Sequence, residues 1–151
     1  MSLAPDVFPA ERPPERLGKS RVPVLKDLPL FAGVSQRHLR RIEAREKHYG
    51  PGDTIVRRGD PGNAFYVILE GEVRVRPPSR RAITLTAGDY FGEMALLDGA
   101  PRSADITAVG AVTVLVVGRA AFTKLMRDEP GIAEAMLKTL AARLRAAQQQ
   151  Y

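Results

Sequence analysis

A glutamate and an arginine lie close together in an apolar stretch of the chain. Glu93 follows Gly92, and Arg102 follows Pro101. Short apolar segments flank this stretch on both sides, and an unpaired charge is costly to bury in such surroundings. A small anionic ligand with hydroxyl groups would account for both side chains. The other interpretation is a salt bridge between Glu93 and Arg102 themselves.

The composition limits the other chemistries open to the chain. Its 151 residues, 44% of them hydrophobic and 26% charged, suit one soluble globular domain. Because there is no cysteine and the only histidines are His38 and His48, too few ligands remain for a zinc or iron site, and we expect neither a metal nor a cofactor. Ser103 has no nearby histidine to activate it, so we do not expect an enzyme.

The charge and hydropathy patterns exclude two further classes. The net charge is +6, but the basic residues are dispersed along the chain, so we do not expect nucleic-acid binding. No apolar run approaches the ~18 residues needed to span a bilayer. The N-terminus lacks an apolar signal core, which makes a cytoplasmic location the default.

The chain divides into a proline-rich arm and one domain. Residues 1–24 hold five prolines without apolar periodicity, which predicts a flexible arm. The domain is predicted over 25–151. Near its start, Ser35 is a plausible N-cap for a helix that carries Leu39 and Ile42.

Residues 49–117 show short alternating apolar segments separated by turns. Strands are predicted at 54–56, 64–69, 73–76, 83–86, 104–108 and 112–117. The residues Glu70-Gly71-Glu72 predict a tight hairpin between the second and third of these. Short strands at regular spacing with glycine turns indicate a sandwich or a barrel.

The C-terminal part changes to helical periodicity. One short helix is predicted over 121–127 and a longer one over about 131–149, separated at Glu129-Pro130 because the residue before proline avoids the α conformation. The longer helix carries an apolar stripe at 4-3-4-3 spacing: Ala133, Leu137, Leu140, Leu144 and Ala147. The stripe either packs on the chain's own barrel or forms a contact with a second copy or a partner protein.

Several short motifs, taken together and in order, resemble the cyclic nucleotide-binding domain family, which includes protein kinase A regulatory subunits and the catabolite activator protein. The motifs are Gly52-Asp53-x-Ile55, Gly59-Asp60-x-Gly62, Phe65-Tyr66-x-Ile68-x-x-Gly71-x-Val73, Gly88-Asp89-x-Phe91-Gly92-Glu93-x-Ala95-Leu96 and Pro101-Arg102-Ser103-Ala104. The resemblance implies a mainly β fold with flanking helices, an eight-stranded β jelly roll with an N-terminal helix and two C-terminal helices. Because no DNA-binding or catalytic segment is recognisable beside these motifs in the sequence, we expect a receptor domain without such an output domain.

The resemblance assigns roles to a phosphate-binding cassette, residues 91–104. Arg102 would pair with the cyclic phosphate, Glu93 would accept from the ribose 2′-hydroxyl, and Ser103 would support the phosphate. Gly92 would let the backbone approach the ligand. The full set of expected ligand-binding residues is Phe91, Gly92, Glu93, Met94, Ala95, Leu96, Pro101, Arg102, Ser103, Ala104 and Arg143.

The implied function is a cyclic nucleotide sensor, with cAMP favoured over cGMP, in which ligand binding moves the C-terminal helices. The alternative is a degenerate domain that serves as an interaction or dimerisation module without a ligand. Two positions bear on this choice. Asp105 would oppose an anionic ligand if it pointed into the pocket, and would be neutral if it pointed out. Tyr151 would cap the base if the last helix extended that far.

Overall fold

A computed structural model of the chain describes residues 15–16, 23–78 and 81–148. Tyr151 and most of the predicted arm lie outside the described residues, and the flexibility of the arm stays a prediction. The strands are β1 (Glu15–Arg16), β2 (Glu43–Tyr49), β3 (Thr54–Val56), β4 (Ala64–Glu70), β5 (Glu72–Arg76), β6 (Ile83–Thr86), β7 (Tyr90–Phe91), β8 (Asp105–Ala108) and β9 (Val112–Gly118). The helices are a 3₁₀ turn (Pro29–Phe31), α1 (Gln36–Leu39), α2 (Glu93–Asp98), α3 (Arg119–Asp128) and α4 (Pro130–Gln148), and residues 23–26 are also helical.

The strands form two antiparallel sheets. One has the order β1-β2-β9-β4-β7 and the other β3-β8-β5-β6. Eight of the strands, β2 to β9, belong to the predicted domain, and β1 is a short addition from the arm, paired with β2. The predicted mainly β fold with eight strands and flanking helices is therefore confirmed.

The apolar strands β4 and β9 contribute side chains to two hydrophobic cores, one on each face of their sheet. Successive side chains of a strand point to opposite faces, so a strand covered on both faces is apolar throughout. Phe65 and Val67 of β4 pack with the helices, in a cluster that includes Phe122 and Ile132. Tyr66, by contrast, packs between the two sheets. The five-stranded sheet is consequently the layer that separates the helices from the other sheet.

The hairpin predicted at Gly71 is wrong. β4 pairs with β7 and β9, whereas β5 pairs with β6 and β8, so the chain passes at Gly71 from one sheet to the other. Gly71 has a φ of 89°. A Cβ there would collide with the carbonyl of Ala111, so the crossing needs a glycine for both conformation and space.

The N-terminal helix is shorter than predicted. Ser35 is its N-cap, with Oγ accepting from His38 N at 3.2 Å, but the helix ends at Leu39, and Ile42 is buried beyond it. The next residues form β2, a strand that the sequence analysis missed. His48 therefore belongs to the sheet rather than to the helical region before it.

The two C-terminal helices begin and end close to the predicted bounds. Pro130 is the first residue of α4 rather than part of the break, a position where proline lacks only an N–H that would have no helical partner. The buried face of α4 carries Ile132 and Met136, whereas Leu137 and Leu144 of the predicted stripe are 66% and 60% exposed. The prediction that the stripe packs on the chain's own barrel is therefore wrong for Leu137 and Leu144. None of the helices in the described ranges is long and apolar enough to cross a membrane.

Candidate functional site

A cleft of about 140 Å³ opens beside the cassette, against the inner face of the four-stranded sheet. Its lining contains every expected ligand-binding residue except Leu96 and Arg143. Leu96 instead packs against the core beneath the helices. The lining residues are Val56, Val75, Phe91, Gly92, Glu93, Met94, Ala95, Asp98, Ala100, Pro101, Arg102, Ser103, Ala104 and Ile106.

Two glycines shape the cassette. Gly92, with a φ of 90°, ends β7 and precedes α2, and Gly99, with a φ of 72°, ends α2 and donates to Ala95 O at 3.0 Å. A Cβ on Gly92 would lie 2.9 Å from both Ala64 O and Arg102 Nη1. Only glycine therefore allows the Arg102 guanidinium to lie directly against this turn.

Arg102 is held by backbone carbonyls. It is 4% exposed, and it donates from Nη1 to Gly92 O at 2.9 Å and from Nη2 to Ala64 O at 2.7 Å. Its Cζ also lies 5.8 Å from the centre of the Tyr66 ring. These contacts fix the plane of a buried cation at the wall of the cleft.

Glu93 is held by the C-terminal helix. It is 2% exposed, and its Oε1 lies 3.3 Å from Nη1 of Arg143 on α4. Burial raises the pKa of Glu93, while a backbone hydrogen bond and the charges of Arg143 and Arg102 partly oppose that rise. The ion pair that Glu93 makes is thus with Arg143, which differs from the alternative of a Glu93–Arg102 salt bridge.

Tyr90 completes the contact between the cassette and α4. The Cζ of Arg143 lies 5.7 Å from the centre of its ring. Burial raises the pKa of Tyr90, with smaller contributions from the charges of Glu93 and Asp89, and the Thr139 hydroxyl and Arg143 oppose the rise. Tyr90 and Glu93 therefore present one polar surface to the last helix.

Asp105 points away from the cleft. It is exposed, and its Oδ1 accepts from Arg58 N at 2.8 Å, while the next residue, Ile106, lines the cleft. Asp105 does not oppose an anion there. Ile106 and Val56 line the cleft without having been predicted to do so, although strand alternation from Asp105 places Ile106 on the inner face.

Outside this cleft, the described residues contain a second cleft but no cluster of metal ligands. Across residues 23–78 and 81–148, no group of three His, Asp or Glu side chains is placed to hold a metal ion. A larger cleft of about 400 Å³ lies between α1 and α3 and contains His38, Lys124 and Glu129, but none of the predicted ligand-binding residues. Its cations and carboxylates are mixed, so it shows no preference for one ligand charge.

The two sheets, the flanking helices and the cassette define a class of ligand-binding jelly roll. A sequence model described as the cyclic nucleotide-binding domain matches residues 46–129, more than half of the chain. The chain belongs to the cyclic nucleotide-binding domain family.

Individual relatives and solved structures agree with this membership. The chain is 34% identical over 110 residues to a cAMP-dependent protein kinase regulatory subunit of Hypocrea atroviridis, a match that covers 72% of the chain and 24% of the relative. The catabolite activator protein of Thermus thermophilus superposes with a TM-score of 0.72 at 33% identity, over 81% of the chain and 61% of that structure. The regulatory domain of Toxoplasma gondii protein kinase A, crystallised with cAMP, gives 0.69 at 28% identity, over 80% and 48%. The chain spans about a quarter of the length of the curated relatives it matches.

Proposed function

We propose that the chain is a cyclic nucleotide sensor domain, with cAMP as the favoured ligand. The observation that carries the proposal is that Arg102 and Glu93, 4% and 2% exposed, line the same cleft within one cassette. A buried cation and a buried carboxylate at one cleft suit a ligand that carries both a phosphate and hydroxyls. The relatives whose names include cAMP support this choice of nucleotide.

Each lining group has a role in this proposal. Arg102 binds the cyclic phosphate with guanidinium donors whose plane is already fixed by two carbonyls, and Ser103 adds a hydroxyl. Glu93 accepts from the ribose hydroxyl, so it selects against a deoxyribose analogue that would leave the carboxylate unpaired. The apolar side chains of Val56, Val75 and Ile106 provide a surface for the uncharged part of the ligand.

The same contacts give the domain a way to signal. A ligand that binds Glu93 competes with Arg143 for this carboxylate, and Arg143 belongs to α4. The ligand shifts the helix equilibrium only by the difference between its affinities for the two helix positions. The domain is thus regulatory rather than catalytic, and Leu137 and Leu144 on the exposed face of α4 are where a second copy or a partner protein would read the movement.

The proposal is tested by titration calorimetry of the whole chain with cAMP and cGMP. We expect cAMP to bind more tightly than cGMP. Arg102→Ala should lower cAMP affinity at least tenfold, on the order of 1.4 kcal/mol. Arg74→Ala, which removes an exposed arginine on β5 outside the cleft, is the matched control and should bind as the wild type does.

Two results would contradict the proposal. Equal affinities of the wild type and Arg102→Ala would remove Arg102 from the site. A thermal-shift screen in which neither cyclic nucleotide stabilises the wild type would favour the interaction module without a ligand.

A further inference from the structure

A second arginine holds the loop that surrounds Arg102. Arg119, the first residue of α3, donates from Nη2 to Gly62 O at 2.9 Å. Gly62 lies in the loop between β3 and β4, and the residue before Arg119, Gly118, pairs with Ala64 in the sheet. The start of α3 is therefore hydrogen-bonded to this loop by the Arg119 side chain. It also lies beside the end of the loop, because Gly118 and Ala64 are partners in the sheet.

The β3–β4 loop contacts Arg102 at several points. At its beginning, Gly59 N donates to Arg102 O at 2.9 Å and Arg102 N donates to Asp60 O at 2.8 Å. At its end, Ala64 O accepts from the guanidinium. In between, Gly62 lies so close that a Cβ there would be 2.8 Å from Nε and Cζ of Arg102 and 2.6 Å from Cβ of Ala95.

These contacts join the phosphate end of the cleft to α3 without passing through Glu93. Packing at such distances leaves no room for the guanidinium to shift toward Gly62 while the loop stays in place. Arg119 on α3 donates to the carbonyl of Gly62 in this loop, and Phe122 of α3 packs on Phe65 of β4, with ring centres 5.2 Å apart. A movement of Arg102 would thus reach the first turn of α3.

We propose that Arg119 is a positioning residue that transmits occupancy of the Arg102 end of the cleft to the C-terminal helices through the carbonyl of Gly62. The inference rests on the proposed function, because it needs a ligand at Arg102. It adds a second connection between cleft and helices, separate from the Glu93–Arg143 ion pair. Arg119 is exposed and does not line the cleft, so it acts on the response to the ligand rather than by touching it.

The test measures the ligand-induced displacement of α4 in the whole chain. The chain has no cysteine, so Lys138→Cys on α4 and Thr84→Cys on β6 introduce two spin labels at exposed positions. The distance between the two labels is measured by pulsed electron paramagnetic resonance without ligand and with saturating cAMP. Binding of cAMP by each variant is checked by calorimetry. The variants are Arg119→Met, Arg119→Lys, and Arg127→Met as the matched control on the same helix.

We expect cAMP to change the separation in the wild type and Arg119→Met to lose at least half of that change while still binding cAMP. Arg119→Lys keeps a donor for the Gly62 carbonyl and should retain most of the cAMP-induced change in separation. Arg127→Met should show the same change as the wild type. A merely structural Arg119 would lower the melting temperature without changing the displacement. If Arg119→Met is too unstable to measure, Arg119→Ala, which also has no side-chain donor, replaces it, and the same loss of displacement relative to Arg119→Lys is expected.

The outcomes separate the two proposals. If the wild type binds no cyclic nucleotide, the proposed function is overturned and this inference with it. If the wild type binds but α4 does not move, or if Arg119→Met shows the full displacement, the inference alone is overturned.

Discussion

Arg102 and Glu93 line the same cleft and are equally buried, but they are held by different kinds of group. Arg102 donates to two backbone carbonyls that the sheet and the cassette turn keep in place. Glu93 has a backbone hydrogen bond, but its ion-pair partner is the Arg143 side chain, which is 37% exposed and belongs to the last helix. The cation is compensated by carbonyls of the barrel and the cassette, whereas the charged partner of the carboxylate belongs to the last helix.

The difference shows that the Arg102 end of the cleft is bonded to the barrel and the cassette, and that the Glu93 end is bonded to the last helix. Carbonyl dipoles fixed by the sheet compensate Arg102 wherever α4 lies. Burial dominates at Glu93, so the pKa of that carboxyl is raised even with Arg143 beside it. Glu93 is therefore the group whose state follows the position of the helix, and three substitutions test this contrast.

Gly62→Ala should have the largest effect, because it acts on the tightly packed Arg102 end of the cleft. Its Cβ would lie 2.6 Å from Cβ of Ala95, so we expect a loss of about 1–3 kcal/mol of unfolding free energy from overpacking. The measurement is urea denaturation of the ligand-free chain. Gly110→Ala, with nothing within 4 Å of its Cβ, is the control and should stay within about 0.5 kcal/mol of the wild type. Equal losses in the two variants would mean that the loop yields, and that Arg102 is not rigidly held.

Arg143→Met should have an intermediate effect, because it removes the charge that compensates Glu93. Since Arg143 is partly exposed, we expect a loss of about 1 kcal/mol or less at pH 7. The loss should shrink as the pH falls through the raised pKa of Glu93, because the protonated carboxyl no longer needs a cation. Arg145→Met, on the same helix, should show no such pH dependence. A loss that is the same in acid and at neutral pH would separate Arg143 from the charge of Glu93.

Glu93→Gln should have the smallest effect on stability, and of the opposite sign. Because the folded chain raises the pKa of Glu93, the folded state holds this proton more tightly than the unfolded state does. The contribution of Glu93 to the free energy of unfolding is therefore complete at a pH below the usual pKa range of glutamate. It is lost as the pH rises through the raised pKa of the folded state. Gln does not titrate, so Glu93→Gln does not lose this contribution as the pH rises. Between acid and neutral pH, the free energy of unfolding of the variant should therefore rise relative to that of the wild type, by roughly 1 kcal/mol or less. Denaturation curves that show the reverse trend would mean that Arg143 outweighs burial.

The sequence predicted most of the site because its groups are close together along the chain. Glu93, Arg102 and the two glycines of the cassette lie within one short motif, so spacing alone brings them to one turn. Arg143 was found only through the resemblance, yet the structure places it against Glu93. Its role toward a ligand stays a prediction.

What the sequence could not predict depends on contacts between distant segments. β2 carries charged residues and a burial pattern that does not alternate, so it has no apolar periodicity to detect. The contact of Arg119 with Gly62 joins residues 57 apart, and neither residue has a local pattern that indicates it. Leu137 and Leu144 are exposed because α4 buries the face that carries Ile132 and Met136. The 4-3 spacing of apolar residues does not determine which face of the helix is buried.

The crossing of the chain at Gly71 has a consequence for the time course of folding. β4 and β5 are consecutive but belong to different sheets, and the longer of the two pairings of β4 is with β9, far along the chain, where Ala64 pairs with Gly118. Chains dominated by such non-local pairing close long loops before they gain contacts, and they fold slowly. The Ala64 carbonyl that Arg102 needs is set by this late pairing. We therefore expect the cleft to form late in folding, and a chain that ends before β9 to contain the whole cassette motif without the strand that positions Ala64.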